Sequence, residues 1–244
     1  MRAGRLGGLI GLVSLALAGH AIAHEPILLD SRHATPGLQL RLVELPSGPA
    51  EPGRYRLEPS ALPPGARFSV WTKDFGHTFH EVVSDLVVDP SGTLVAATAD
   101  AAGRRQRVDE MALAPGPYPP GAIWEVALVS ADRTLLAFAK VIPRPIHAED
   151  GACAVSLQLV SHRGERFLTS GEGFVPGDDV LIESRVAGRL TRKRQRVGPD
   201  GRLRSDVLSH VDVGGDRTAR YAVTGQRCAV AIEYVWGNRA LERQ

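Results

Sequence analysis

His24, His77 and His80 are the residues whose positions could support metal chemistry. Ala21-Ile22-Ala23 has the small-x-small pattern that a signal peptidase cleaves, so we expect His24 to begin the mature chain. Its free α-amine, with an ordinary pKa of about 7.7–8.0, and its imidazole Nδ1 could then chelate one ion at neutral pH. A further imidazole, from His77 or His80, would complete a three-nitrogen site suited to Cu(II).

This arrangement resembles the histidine brace of lytic polysaccharide monooxygenases and the N-terminal-histidine sites of exported copper carriers. Both families use immunoglobulin-like sandwiches, and the resemblance covers His24 and one of the two later histidines. Histidines three apart on a strand point to opposite faces, so His77 and His80 could both bind a metal only from a loop, which Gly76 permits. The alternative is incidental cleavage before His24 with all histidines on the surface. Surface positions are also expected for His33, His147, His162 and His210.

Arg192, Arg194 and Arg196 form a second candidate site. If residues Leu190–Val197 form a strand, the three side chains share one face, because alternate residues of a strand point the same way. Such a face could bind lipid phosphates, an acidic glycan or an acidic protein. No aromatic residue is interleaved with the arginines for base stacking, which disfavours nucleic acid. The alternative is a solvated strand whose charge discourages pairing at a sheet edge.

The two cysteines, Cys153 and Cys228, predict a disulfide bond in an exported protein, because such bonds persist in oxidising compartments. The bridge would close a loop of about 75 residues. The chain has no C-x-x-C motif, which disfavours a thiol redox enzyme. The alternative is a pair of buried free thiols.

Residues 1–23 have the organisation of a signal peptide. Arg2 and Arg5 precede an apolar run, Leu6–Ala18, that is shorter than the about 20 residues of a spanning helix. We therefore expect cleavage, a periplasmic or secreted mature chain from His24, and no membrane span within it; the alternative is an uncleaved anchor. The whole chain has 29 Lys and Arg against 27 Asp and Glu, and the segment holds two arginines and no acid. The mature charges balance, so net charge indicates no polyanion partner.

The mature sequence has the pattern of an all-β protein. The chain contains 17 prolines and 26 glycines, which separate short runs of alternating apolar and polar residues. In the run from Cys228 to Trp236, every second residue is apolar and shares one predicted face. Many short strands between turns are typical of a sandwich or barrel.

Residues 146–151, within a Pro- and charge-rich segment, are predicted to link two domains, at 24–145 and 152–244. The two sides of this linker resemble each other. The stretch 62–70 is similar to 174–182, and each is followed by a glycine, Gly76 or Gly188; the stretches and the glycines are both separated by 112 residues. Such self-similarity predicts one strand plan used twice, and chance likeness of two β-rich halves is the alternative.

Gly173-Phe174-Val175-Pro176-Gly177-Asp178 opens a stretch that resembles the GFxPGDxV element of immunoglobulin-like modules in bacterial exported proteins. The resemblance implies two tandem immunoglobulin-like β-sandwiches and a binding role. Pro-Gly favours a tight turn, because proline fixes φ and glycine accepts positive φ. The adjacent Asp178-Asp179 pair is expected to be surface charge.

The sequence contains no G-x-S-x-G, P-loop, H-E-x-x-H or EF-hand motif. We therefore expect an exported, non-catalytic binding or assembly protein of the bacterial cell envelope that needs no cofactor. Its expected partner is an envelope protein or an anionic glycan or lipid. The alternative is a copper-binding protein or copper redox enzyme that uses His24.

Overall fold

A computed structural model describes residues 29–46, 53–210 and 217–242, and its regular structure is almost entirely β-strand. The all-β prediction is confirmed. The predicted signal peptide and His24 lie outside the described residues. Two single 3-10 turns and one short helix complete the secondary structure of the described part: Ser31–His33, Val108–Glu110 and α1 (Asn238–Leu241).

The first half of the chain, which we call the first unit, forms two antiparallel sheets. Its strands are β1 (Gln39–Leu45), β2 (Arg54–Ser60), β3 (Arg67–Lys73), β4 (His80–Val88), β5 (Leu94–Ala96), β6 (Ala112–Leu113), β7 (Trp124–Ser130) and β8 (Leu136–Val141). One sheet has the order β1-β2-β6 and the other the order β5-β4-β3-β7-β8. Alternation buries Phe68 and Val70 of β3 between the sheets, beside Trp124 of β7.

The second half, the second unit, also forms two antiparallel sheets. Its strands are β9 (Ile146–Asp150), β10 (Cys153–Leu159), β11 (Arg166–Glu172), β12 (Asp179–Val186), β13 (Arg189–Arg196), β14 (Val207–Ser209), β15 (Thr218–Thr224) and β16 (Ala229–Val235). The sheet orders are β14-β11-β10-β9 and β13-β12-β15-β16. The predicted common face from Cys228 to Trp236 is confirmed, because Val230, Ile232, Tyr234 and Trp236 are all buried with Cys228.

Seven strands of each unit have the same order, which agrees with the predicted internal repeat, whereas β5 and β9 have no counterpart in the other unit. In each, the chain passes repeatedly between the two sheets, as in immunoglobulin-like sandwiches. Gly76 and Gly188 both have positive φ in the turns that follow β3 and β12. The corresponding strands are β1 and β10, β2 and β11, β3 and β12, β4 and β13, β6 and β14, β7 and β15, and β8 and β16.

The GFxPGDxV element positions the start of β12. Gly173 has a φ of 78°, and an added Cβ would collide with the backbone carbonyl of Ala152. Gly177 has a φ of 77°, and the Asp178 amide donates to the Val175 carbonyl at 3.1 Å, which closes the Pro-Gly turn. The expectation that Asp178 is surface charge is wrong. Its carboxylate is buried and accepts hydrogen bonds from the backbone and side chain of Gln226 at 2.9 and 3.0 Å.

The predicted linker, residues 146–151, is also wrong in part, because residues 146–150 form β9. This strand pairs along β10 and extends a sheet of the second unit. The units touch next to it, where the Leu159 amide donates to the Gly121 carbonyl at 2.8 Å. The prolines at 143 and 145 therefore precede a paired strand, and the change of unit is a short, ordered passage between β8 and β9.

Candidate functional site

A two-residue turn presents the predicted basic strand. Ala187 and Gly188 have φ angles of 47° and 79°. Two successive positive φ values are typical of a two-residue hairpin turn, whose twist matches that of the flanking strands. The turn connects β12 to β13, and β13 spans Arg189–Arg196, close to the predicted 190–197. β13 is the last strand of its sheet and is exposed along almost its whole length.

Arg192, Arg194 and Arg196 do share one face of this strand, as predicted. They lie opposite Glu183, Leu181 and Asp179 of β12. The alternate residues of β12, Val180 and Ile182, are buried in the core. The arginines therefore project from the outer side of the sandwich, and we call the outer side of this sheet the arginine face.

Two of these arginines have carboxylate partners across the strand pair. Arg192 Nε lies 2.6 Å from Glu183 Oε1, and Arg196 binds both carboxylate oxygens of Asp179, with its Nη2 at 2.9 Å from Oδ2. The hydrogen bonds from Arg196 lower the pKa of Asp179. Arg194 faces the aliphatic Leu181 and has no carboxylate within ion-pair distance among residues 29–46, 53–210 and 217–242. Its guanidinium is the one of the three that remains available for an external anion.

Two further arginines extend the arginine face beyond the predicted site. Arg185 of β12 lies directly opposite Arg220 of β15, which lies opposite Glu233 of β16. The face then carries five arginines, at 185, 192, 194, 196 and 220, against three carboxylates, at 179, 183 and 233. Arg220 lies far away in sequence, and only a correct pairing of β12 with β15 could have revealed its place. All five arginines are exposed, so the excess positive charge is open to solvent.

Side chains on the opposite side of β13 contact the segment that precedes β14. Lys193 forms an ion pair with Asp206, and the Gln195 side chain donates to the Arg204 carbonyl at 3.0 Å. The hydrogen bond from Lys193 lowers the pKa of Asp206. These contacts tie β13 to the segment before β14 and hold the strand in place without using the arginine face.

The predicted metal ligands are only partly within the described structure. His77 lies exposed in the turn after β3, and His80 begins β4 with its Nε2 3.2 Å from the Thr72 hydroxyl. Within the described ranges, no group of three or more histidine, cysteine, aspartate or glutamate residues could hold a metal ion. His24 lies outside them, so the copper site stays a prediction.

The remaining histidines divide into surface and core positions. His33, His147 and His162 are exposed, but the expectation for His210 is wrong. His210 is buried against Phe167 and Trp236, and its Nε2 lies 2.9 Å from the Tyr234 hydroxyl. Burial lowers the pKa of His210. These aromatic neighbours come from β11 and from the end of β16, which no local sequence pattern around residue 210 reveals.

His162 contributes to a pocket where the two units meet. Its ring packs at a tilt of 50° against Phe75 of the first unit, with centroids 5.3 Å apart. The pocket has a volume of about 300 Å³ and is also lined by Asp74, His77 and Tyr118. The buried Tyr118 hydroxyl donates to the Ile123 carbonyl at 2.9 Å, so its polar atom is already satisfied.

The predicted disulfide bond is confirmed. Cys153 and Cys228 are bonded, with Cα atoms 6.3 Å apart, and both are buried. Cys153 begins β10 and Cys228 precedes β16, so the bond connects the two sheets of the second unit. The sheet that carries the arginine face is therefore covalently fixed to its partner sheet.

Comparisons with known proteins give no family for this chain. No protein-family model matches it, and no curated protein matches it. A solved tetra-tandem repeat from the extending region of a large adhesion protein is 13% identical, with a TM-score of 0.29, over 82% of this chain and 48% of that one. Red sea bream transglutaminase is 12% identical, with a TM-score of 0.25, over 80% and 31%.

A third similar structure is a 1.5-MDa bacterial ice-binding adhesin described for host cell surface retention. It is 12% identical, with a TM-score of 0.23, over 82% of this chain and 63% of that one. The chain thus spans less than two thirds of each of these structures. At these TM-scores the similarity assigns neither family nor function. Separately, no helix in the described ranges has the length and hydrophobicity to cross a bilayer.

Proposed function

We propose that this protein is an exported, non-catalytic binding or assembly protein of the bacterial cell envelope, and that it holds an anionic partner against its arginine face. One observation carries the proposal: Arg192, Arg194 and Arg196 are aligned and exposed on the last strand of a sheet, with Arg194 facing no carboxylate. A guanidinium without a carboxylate partner can offer two parallel N–H donors to an external carboxylate or phosphate.

Two features support export and a passive scaffold. The Cys153–Cys228 bond is of the kind that persists in oxidising compartments, in agreement with the signal-peptide pattern of residues 1–23. The arginine face lies on a regular sheet whose other side is buried in the core, so its side chains are held on a rigid surface. Rigid placement reduces the ordering cost of binding an extended anionic surface.

Retention on immobilised heparin, used as an anionic glycan probe, tests the proposal. The wild-type protein is expected to elute at higher salt than a variant with Arg192→Gln, Arg194→Gln and Arg196→Gln, because screening weakens exposed charge interactions. A matched control replaces three exposed arginines outside the face with glutamine, at positions 41, 105 and 163. Equal elution of the two variants would overturn the proposal, because net charge alone would then explain retention.

A further inference from the structure

The backbone of β13 is open in a regular pattern. In a two-residue hairpin the residues that flank the turn, Val186 and Arg189, form a hydrogen-bonded pair, and bonding alternates from there. The N–H and C=O groups of Thr191, Lys193 and Gln195 therefore face β12. Those of Leu190, Arg192, Arg194 and Arg196 point away from the sheet.

The outward-pointing backbone groups have no partner in the described part of the chain. β13 pairs only with β12, and no hydrogen bond there reaches the amide or carbonyl of Arg192 or Arg194. Successive outward residues are two positions apart, about 6.8 Å, which is the spacing at which another strand presents its own pairing groups. Neither a glycan nor a lipid headgroup repeats donors and acceptors in this way, so the edge favours a polypeptide.

Charge decides which polypeptide can pair here. In an antiparallel addition, each residue that bonds to Arg192, Arg194 or Arg196 places its side chain on the arginine face. Acidic side chains at these alternate positions would meet the guanidinium groups, above all that of Arg194. A second copy of β13 would bring arginine against arginine, and like charges directly opposite destabilise a strand pair.

The other side of an added strand would lie beside an apolar groove. A cavity of about 390 Å³ opens between β13 and β14, and its lining includes Val186, Thr191, Val207 and Leu208. Val207 is 41% exposed, which is unusual for a side chain of this type on a paired strand. Apolar side chains on the inward positions of an added strand would cover this groove near the hairpin turn.

We propose that β13 accepts an extended polypeptide segment, with alternating acidic and apolar residues, as an additional antiparallel strand of its sheet. The inference rests on the proposed function and names its partner class. Main-chain hydrogen bonds to the free edge provide the pairing. The acidic side chains contact the arginine face, and the apolar side chains contact the groove.

Three synthetic peptides test the inference by fluorescence anisotropy. The first alternates glutamate and valine over the length of β13. The second is N-methylated at every glutamate, whose amide would have to bond to β13, and the third at every valine, whose amide would point to solvent. The inference predicts binding of the first and third peptides and none of the second, although all three carry the same charge. Equal binding of the second and third overturns strand addition.

Two variants locate the binding. Arg194→Glu is expected to weaken binding of the first peptide about tenfold, because it removes an attraction and adds a repulsion at the same position. Arg41→Glu, on the exposed side of β1, makes the same charge change away from the site and is expected to leave affinity unchanged. Equal loss in both variants would overturn the assignment to β13.

The outcomes also separate this inference from the proposed function. If no peptide binds while heparin retention still depends on the three arginines, strand addition is wrong and the anionic-partner proposal stands. If neither peptide binding nor heparin retention depends on them, both are wrong. If unlabelled wild-type protein binds its own copies at this edge in concentration-dependent association, a second copy is the occupant and the acidic segment is overturned.

Discussion

Removal of the Cys153–Cys228 disulfide is expected to destabilise the second unit selectively. The bond closes a loop of 75 residues and joins the two sheets of one sandwich. Opening it leaves the native contacts of the second unit in place but gives its unfolded chain many more conformations. No strand of the first unit lies within the closed loop.

The magnitude follows from the loop length. The chain-entropy relation for a closed loop of 75 residues gives a stabilisation of about 4.5 kcal/mol at 25 °C. Because small domains are stable by only about 5–15 kcal/mol, this loss would bring the second unit close to its unfolding threshold. The first unit is expected to lose less than about 1 kcal/mol, through its contacts at Gly121 and Leu159 alone.

Urea unfolding followed by peptide-resolved hydrogen exchange measures both units in one sample, with and without dithiothreitol. Peptides from β10, β12 and β16 report the second unit, and peptides from β3 and β7 the first. A double variant, Cys153→Ala with Cys228→Ala, should match the reduced wild type apart from lost packing. A loss below about 1 kcal/mol in the second unit, with reduction verified by mass, would refute the loop-entropy argument.

Three other perturbations have definite expected results. Burial lowers the pKa of His210 below the ordinary 6.5, so the unfolded chain binds its proton more readily. The free energy of unfolding should therefore fall as the pH drops below 6.5, with a slope of at most about 1.4 kcal/mol per pH unit, and should fall less steeply in His210→Gln. Gly173→Ala should destabilise the second unit by more than about 2 kcal/mol, because its Cβ would collide with the Ala152 carbonyl. If His24 begins the mature chain, the protein should bind Cu(II) stoichiometrically, and chemical capping of the α-amine should abolish this binding.

Each of these has its own control. An unchanged pH profile in His210→Gln would show that other groups set the acid sensitivity. Gly177 also has positive φ, but the space around an added Cβ is open. Urea titration should therefore show a smaller loss of unfolding free energy for Gly177→Ala than for Gly173→Ala. Mass spectrometry of the mature N-terminus must accompany the copper titration, and weak binding by a chain that does begin at His24 would remove the copper prediction.

Local patterns in the sequence predict most of the sheet structure. Alternation alone identifies the buried face from Cys228 to Trp236 and the common face of Arg192, Arg194 and Arg196, because a strand has a side-chain period of two. The turn glycines Gly76 and Gly188 mark the same hairpin in both units. These features depend on neighbours within a few residues.

Features that depend on residues distant in the sequence cannot be predicted from local patterns. Asp178 is buried because Gln226, 48 positions away, supplies its hydrogen bonds. His210 lies in the core because Phe167 and Tyr234, both distant in sequence, pack against it. The segment 146–150 has the composition of a linker but becomes β9, since β10 provides a pairing edge. The neutralisation of Arg192 and Arg196 likewise requires the register of β12 against β13.

The most direct test of the central claim is hydrogen–deuterium exchange at the backbone amides of β13, with and without the glutamate–valine peptide. In the free protein, the Lys193 amide should exchange slowly and the amides of Arg192 and Arg194 rapidly, because only the Lys193 amide faces β12. Saturation with the peptide should protect the Arg192 and Arg194 amides as well. Rapid exchange at both positions in the saturated complex would contradict an edge that recruits an acidic strand.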